Sequence, residues 1–598
     1  MESQKTVHRA RVEALQKRMA ETGIHGWIIP SSDPHQSEYY ADYWKARGWV
    51  SGFTGSAGTL VVTRDQAALW TDGRYFLEAG EVLEGTGIQL MKEGVADTPG
   101  IAAWLSGLVP RGGVVSYDAR MVAPHYHLSL EQELAAPGIS LVPGKDLLEG
   151  IWQDRPSLPE EAVRNFPRER AGLSREQKLA RLRQALGERG CSIMVISALD
   201  EVAWVLNLRG RDVAYNPVFY SYLTVGLQEG TILWIGPGKL DSGLEAELAG
   251  QGITLKPYDD LADWIARQPE DARFWVNPRQ VSMALSQVLG ADRVYWEQLP
   301  TTLDKARKTP AELASLDDCM VSDGRALVRF FSWLEQTLDS GQELTEYDAA
   351  RRLSEFRGQV PDYQGDSFQT IVGYGPNGAV IHYGPEKEGA RVIRGQGLLL
   401  VDSGGQYSRG TTDITRTIPV GGSVDREQRR MYTLVLQGHI ALARAVFPRG
   451  TTGTQLDILA RQPLWNQGLN YGHGTGHGVG FCLNVHEGPG RISPLANSVA
   501  LEPGMVFSNE PGYYREGEFG IRIENLIVVE DHPDFPGYLR FRTLSFCPLE
   551  LDLVDRTLLS DSQRDWINAY HRRTRELLSP GLEGASLEWL LSKARDLD

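Results

Sequence analysis

"GLLLVDSGGQYSRGTTDITRTIPV", residues 397–420, decides how this chain is read. Four apolar residues, Leu398 to Val401, run into Asp402, and a second stretch of alternating type carries Asp413. The residues between them, "SGGQYSRGTT", have the composition of a turn. The flanking pieces are therefore predicted to be antiparallel strands that bring the two carboxylates together. Short alternating strands are also predicted in "SFQTIVGY" (367–374), "GMVFSNE" (504–510) and "FGIRIENLIVV" (519–529). Alternation with turns between reads as antiparallel sheet, which makes this part of the chain α+β.

Two of these strands carry further acids, Glu510 and Glu524. A carboxylate embedded in a buried sheet is costly unless it is paired or bound to a metal. One such residue is ordinarily a hydrogen-bonded structural group, but four in adjacent strands repel one another without a counter-charge. Two divalent cations would cancel them, and one imidazole would complete an oxygen-rich shell that suits manganese, cobalt or iron better than structural zinc. A buried network with Arg409, Arg416 and Arg522 would meet the same need, and spacing alone leaves the two readings level. The imidazole is at hand in "GHGTGHGVGFCLNVHEGPG", 472–490, which holds His473, His477 and His486 out of twelve histidines in the chain. Glycine on both sides of His473 and His477 lets the backbone approach a metal or substrate closely.

The chain's 598 residues imply two to four domains. A net charge of −16 argues against binding a phosphate backbone and favours cationic ligands such as peptides with a free amino terminus. No nucleic-acid partner is expected. The four cysteines, Cys191, Cys319, Cys482 and Cys547, are widely spaced and form no CxxC, so a thiolate zinc site is not expected and a reducing, cytoplasmic location is. The first residues, "MESQKTVHRARVEALQKRMAE", are charged throughout and show no apolar signal region. No apolar run approaches the ~18 residues of a membrane span, so no membrane association is expected.

Residues 12–33, "VEALQKRMAETGIHGWIIPSSD", and 179–200, "LARLRQALGERGCSIMVISALD", read as copies of each other. Apolar positions 12, 15 and 19 match 179, 182 and 186, Gly23 matches Gly190, and Asp33 matches Asp200. Each spells an amphipathic helix, a glycine stop and a buried strand, and the second opens with a capping box from Ser174 to Gln177. Two related α/β modules are therefore predicted, joined by the Pro- and charge-rich linker 154–174. Near 304 the texture changes. Thr309, Pro310 and Glu312 set the start of a helix running to about Leu338. The predicted domains are 1–153, 154–304 and 305–598. "GYGPNG" (373–378) satisfies GxGxxG, but Pro376 lies inside it and the β-like "AVIHYG" follows, so dinucleotide binding is rejected.

The ordered set "GAVIHYGP", "VDSGGQY", "GTTDITRT", "GHGTGHGVG", "NVHEGPG", "NEPGYY" and "GIRIEN" resembles the pita-bread metallopeptidases, and among them the long, three-domain aminopeptidase P family. "SSDPHQSEYYADYWKARGWVSGFTGSAGT", "LWTDGRYF" and "DEVAWVLNLRGRDVAYNPVFYSY" extend the likeness over essentially the whole chain. The resemblance implies two creatinase-type N-terminal α/β modules followed by a pita-bread catalytic domain. It implies two divalent metal ions per chain, manganese first, with cobalt, iron or zinc as alternatives. Asp402, Asp413, His477, Glu510 and Glu524 would be the ligands, Asp413 and Glu524 bridging both ions. His382, His473 and His486 match substrate and catalytic histidines, Phe368 an aromatic wall of the proline pocket, and Arg522 the arginine of the family's R-I-E pattern. Asn509 departs from the pattern, where an acidic residue is expected, and Cys482 beside the site is a point of oxidation sensitivity.

The implied activity is removal of the N-terminal residue from peptides with proline second, by a hydroxide bridging two metals, with Glu510 as general base. A homodimer is implied. The alternatives are a prolidase, which requires a free C-terminal carboxylate on a dipeptide, and a non-catalytic pita-bread protein that binds peptides.

Overall fold

A computed structural model describes residues 2–422 and 424–597. The chain divides into two compact units, 1–167 with 173–302, and 168–172 with 303–598.

The first unit contains the predicted duplication, and it is more extensive than the two matched segments. The helix Glu2–Glu21 buries Val12, Leu15 and Met19, ends before Gly23 at φ 75, and delivers the chain into the strand Gly26–Pro30. The helix Arg175–Arg189, started by the Ser174–Gln177 capping box, does the same with Leu179, Leu182 and Leu186, Gly190 at φ 62 and the strand Ile193–Ile196. Each of these strands is third from one edge of a mixed six-stranded sheet. Gly26–Pro30 pairs antiparallel with Thr59–Thr63, which pairs antiparallel with Ala67–Thr71, and Ala67–Thr71 in turn runs parallel to Ile88–Lys92. On its other side it runs parallel to Val114–Asp118, then Ser140–Gly144. Ile193–Ile196 repeats the plan with Ser221–Gly226, Thr231–Ile235 and Ile253–Pro257 on one side, and Phe274–Val276 and Val294–Trp296 on the other. The segment expected as a plain linker does more than connect: Arg164–Asn165 pairs with Leu208–Arg209, and Val163 N donates to Lys239 O at 2.8 Å.

The second unit begins with the expected capping box. Thr309 and Glu312 close the N-terminus of the 30-residue helix Pro310–Asp339. Its apolar face, Leu327, Phe330, Phe331 and Leu334, packs on Leu399, Val401, Ile414 and Ile418 of a three-stranded antiparallel sheet. Full burial of a side chain of this size is worth about 1.5–3 kcal/mol. That sheet is Ile371–Tyr374, Gly397–Ser403 and Ile414–Val420, with Asp402 opposite Thr415. A six-stranded sheet follows in the order Val446–Pro448, Tyr538–Thr543, Asn525–Asp531, Val506–Asn509, Gly476–Gly478 and Glu487–Ile492. The helix Arg426–Ala443 buries Met431, Val435, Leu436 and Ile440 in one cluster with Ile521 and Ile523.

Two expectations about strands change. The β-like reading of "AVIHYG" (379–384) is not met: a 3-10 turn over Gly375–Ala379, in which the Asn377 side-chain nitrogen donates to Glu346, runs into a bend and turn at 380–382 with no strand. The acidic residues, Asp402 apart, are not embedded in their strands. Asp413 precedes Ile414–Val420, Glu510 follows Val506–Asn509, and Glu524 stands in the break between Phe519–Arg522 and Asn525–Asp531. Leaving the ladder frees the local backbone from strict face alternation, so each carboxylate can be re-aimed. Among the described residues no helix is long and apolar enough to cross a membrane.

Candidate metal centre

The five acid and imidazole positions singled out from the sequence lie on neighbouring segments of the second unit. His477 Nε2 is 3.4 Å from Asp413 Oδ2 and 3.5 Å from Glu510 Oε1. One donor atom from each of Asp413, His477 and Glu524 falls within 4.8 Å of the others. Asp402 is linked to Glu524 through Arg522, whose Nε donates to Asp402 Oδ2 at 3.1 Å and to Thr415 Oγ1 at 3.3 Å, the hydroxyl that itself bonds Glu524.

Their neighbours orient them. His477 Nδ1 donates to Gly478 O at 3.0 Å, which fixes the ring orientation and turns Nε2 toward the acids. Ser508 Oγ accepts from His477 N at 3.0 Å and donates to Glu510 Oε1 at 3.1 Å. Thr415 Oγ1 donates to Glu524 Oε2 at 2.7 Å. His477 sits between two glycines that admit no substituent: a β-carbon at 476 would lie 2.0 Å from Ser508 O, and one at 478 would lie 2.2 Å from Glu487 O.

The cluster's own charge is unbalanced. Burial, reinforced by Asp413, Glu510 and Asp402, pushes the Glu524 carboxyl well above its usual range. Burial raises Asp402 too, against the opposing pull of Arg522. Glu510 is pushed up to about 7 by burial and by Asp413, although His477 works against this. Burial disfavours charge on His477, but its bond to Asp413 and the field of Glu510 outweigh that and carry it up to about 9. Two buried oxygens, Asp402 Oδ1 and Glu524 Oε1, accept no hydrogen bond. Such atoms are expensive unless something positive meets them. An oxygen-rich donor set with one imidazole, excess negative charge and open lone pairs fits divalent cations.

The rival arginine network is realised only in part. Arg522 pairs with Asp402. Arg409 is instead bidentate on Asp362, and Arg416 spends its donors on backbone carbonyls, including Glu524 O at 2.6 Å, and on Asn525 and Tyr570.

His486 lies beside the cluster, its ring centroid 4.3 Å from that of His477. His473 Nε2 is 2.8 Å from the hydroxyl of Tyr514, which accepts from Arg522 Nη1 at 2.6 Å. With its oxygen so occupied, Tyr514 donates to His473, and the chain His473–Tyr514–Arg522–Asp402 is continuous. His382 follows Ile381, whose carbonyl accepts from Arg522 Nη2 at 3.4 Å. Phe368 is buried and adjoins Ser367, which is tied to Gly404 O and Thr412 O in the turn between Asp402 and Asp413. Cys482 is fully buried at φ 50. Asn509, the departure noted above, donates to His439 O at 2.9 Å and sits opposite Asn525 in the ladder. Sequence reasoning missed Tyr514, Thr415 and Ser508. The signal for Tyr514 was present in "NEPGYY", one turn after Glu510.

Comparison with known proteins gives the family. Residues 315–531 match Metallopeptidase family M24 and 537–597 the C-terminal region of that family. Residues 11–151 and 154–312 each match a Creatinase/Prolidase N-terminal domain. The class is therefore a metallopeptidase with two creatinase-type α/β domains ahead of a pita-bread domain. The chain is 41% identical to Aminopeptidase P2 of Arabidopsis thaliana, over 99% of this chain and 89% of that protein. It is 40% identical to a probable Xaa-Pro aminopeptidase P of Laccaria bicolor, over 97% and 92%. The crystal structure of X-prolyl aminopeptidase from Caenorhabditis elegans, described as a cytosolic enzyme with a di-nuclear active site, superposes with a TM-score of 0.94 at 34% identity, over 99% and 100% of the two chains. The chain belongs to metallopeptidase family M24, in its Xaa-Pro aminopeptidase P group.

Proposed function

We propose that this chain is a Xaa-Pro aminopeptidase, a metallo-exopeptidase that releases the first residue of peptides whose second residue is proline. The observation that carries the reading is the convergence of Asp413, His477 and Glu524 within 4.8 Å, with the open oxygens of Asp402 and Glu524 beside them. Full-length likeness to aminopeptidases P supports it. The proposed domains are 1–153, 154–304 and 305–598, the last bearing the catalytic centre.

Asp402, Asp413, His477, Glu510 and Glu524 would hold two divalent ions, manganese first among them. Bound there, the ions would supply Lewis acidity and lower the pKa of a coordinated water toward neutrality. Glu510 takes the proton of the attacking water, because its carboxylate lies within the group, 3.5 Å from His477 Nε2 and oriented by the Ser508 hydroxyl. The amide nitrogen must receive a proton to leave, and Glu510 returns the one it took. His486, against His477, faces the scissile carbonyl and stabilises its developing charge, a contribution on the order of 3 kcal/mol for such a donor. The substrate's free amino group binds beside Asp402, which restricts cleavage to the first peptide bond. His382, His473, Phe368 and Arg522 shape the substrate side, Arg522 by holding Asp402 and Tyr514 in place. Four cysteines without disulfides, and the description of the worm relative as cytosolic, support a cytoplasmic location, and we propose a homodimer.

The test compares Arg-Pro-Pro, Arg-Pro and Arg-Ala-Ala, with metal and with chelator. Release of arginine from Arg-Pro-Pro, lost on chelation, is expected. Cleavage of the dipeptide alone would point to a prolidase, and no cleavage by metal-loaded protein to a binding module.

A further inference from the structure

Outside the cluster of acids, the second unit buries an ion triad of opposite sign. Glu487, Lys305 and Lys308 are each no more than 5% exposed. Lys305 Nζ donates to Glu487 Oε2 at 2.7 Å, and Lys308 Nζ donates to Glu487 Oε1. One ammonium would neutralise the carboxylate. The second adds a further desolvation cost, offset in part by buried Glu312 near Lys308. What it adds is geometry: each oxygen is held by a different lysine, so the carboxylate plane cannot turn.

The position of Glu487 gives that geometry a purpose. It is the residue after His486 and the first of the strand Glu487–Ile492. Opposite it the ladder is irregular: His477 pairs with Arg491, yet the next residue, Gly478, pairs with Glu487. Residues 488–490 are skipped by the pairing, so strand register alone does not fix where His486 lies. The lysines come from a segment that is itself anchored. Lys308 N donates to Gly504 O at 2.9 Å, and Arg307 forms a bridge with Met505, at the root of the strand Val506–Asn509 that leads to Glu510. Buried Glu312 adds a compensating negative charge near Lys308.

We propose that Glu487, gripped by Lys305 and Lys308, is a positioning residue that sets the His486 segment against His477 and ties it to the root of the Glu510 strand. This rests on the catalytic role of His486 given above. The expected signature is a loss in turnover without loss of metal or substrate affinity, since a displacement of ~1 Å in such a group costs up to about 100-fold.

The experiment uses the full-length, metal-loaded enzyme and Arg-Pro-Pro. Lys305→Met is nearly isosteric and leaves the Lys308–Glu487 pair in place, so folding is retained. It should lower kcat about tenfold, with KM within about twofold and with native metal content. Lys305→Arg should restore most of the loss. Glu487→Asp, too short to span both ammoniums, should behave like Lys305→Met and serves if the first variant does not accumulate. Native kcat in Lys305→Met or Glu487→Asp would overturn the proposal, as would a loss that follows metal content. His486→Ala is run alongside. If it keeps native activity, the role of His486 itself falls and this inference with it; if it is inactive while the clamp variants are native, only this inference falls.

Discussion

Two buried polar clusters share the strand Gly397–Ser403, and they are built on opposite principles. Behind Ser403, Asp323 of the long helix accepts from Arg357 Nε at 2.8 Å, from Arg357 Nη2 at 3.3 Å and from Tyr407 at 2.6 Å, while Arg357 Nη2 also reaches Ser403 O. Charge cancels there, and both carboxylate oxygens are used. One residue earlier on the strand, Asp402 opens the other cluster, where four carboxylates face one guanidinium and one imidazole and two oxygens are left open. The fold can evidently supply a counter-charge when a buried acid is structural. Where it withholds one, the positive charge must come from outside the chain. The deficit, more than the presence of buried acids, is what marks the site.

Glu524→Ala attacks the unbalanced cluster at its centre. It should lose metal at both positions and lower kcat/KM by about 10³-fold or more. Metal analysis showing two ions per chain in that variant would contradict a bridging role. Asp323→Asn attacks the balanced cluster. It leaves Arg357 buried with a weakened partner and should cost about 3–5 kcal/mol in urea unfolding while metal stoichiometry stays native. A variant that is stable but metal-poor would merge the two clusters into one functional unit. The sharpest contrast is one of sign. In chelator, Asp413→Asn should raise stability by about 1–3 kcal/mol, because Asp413 opposes charge on Glu524, Glu510 and Asp402 and its bond to His477 relieves only part of that repulsion. A destabilised Asp413→Asn under chelation would mean that the acids are countered within the chain after all.

The smallest effect concerns a buried group that the fold keeps neutral. His439 lies behind the site, its Nδ1 3.0 Å from Asn509 O. Burial, with help from Arg416, lowers its pKa from 6.5 to about 3. The unfolded chain therefore binds the proton more tightly, and stability is lost as pH falls from 6.5 toward about 3. The slope from one such group is about 1.4 kcal/mol per pH unit. His439→Asn should remove that slope in chelated protein. Equal slopes for variant and native protein in urea titrations at pH 5 and 7 would exclude His439 as its source.

Much of the arrangement was legible in the sequence. Helix, glycine and strand recur at residues 12–33 and 179–200 because burying one apolar stripe and then turning needs those residue types in that order. The capping boxes at Ser174 and Thr309 are local chemistry and appear where they were read. The acids and histidines stood out because charge in an apolar run is anomalous. Other features depend on partners remote in sequence. The break that frees Glu524 arises where one strand leaves the hairpin Gly512–Arg515/Phe519–Arg522 and enters the six-stranded sheet, and no residue at 523–525 announces it. Arg409 and Arg416 could not be told from Arg522 by spacing, since only tertiary packing sends Arg409 to Asp362 and Arg416 to carbonyl groups.

Gly476 and Gly478 bracket the imidazole, and their consequence is mechanical. With less than 2.3 Å from either would-be β-carbon to a facing carbonyl oxygen, alanine at 476 would drive a wedge against the Val506–Asn509 strand, and alanine at 478 one against Glu487. Either would lift His477 off the acids without touching any group that carries charge. The reach of the imidazole is thus gauged by two hydrogen atoms, and a methyl group in place of one should disarm the centre as surely as the loss of a ligand.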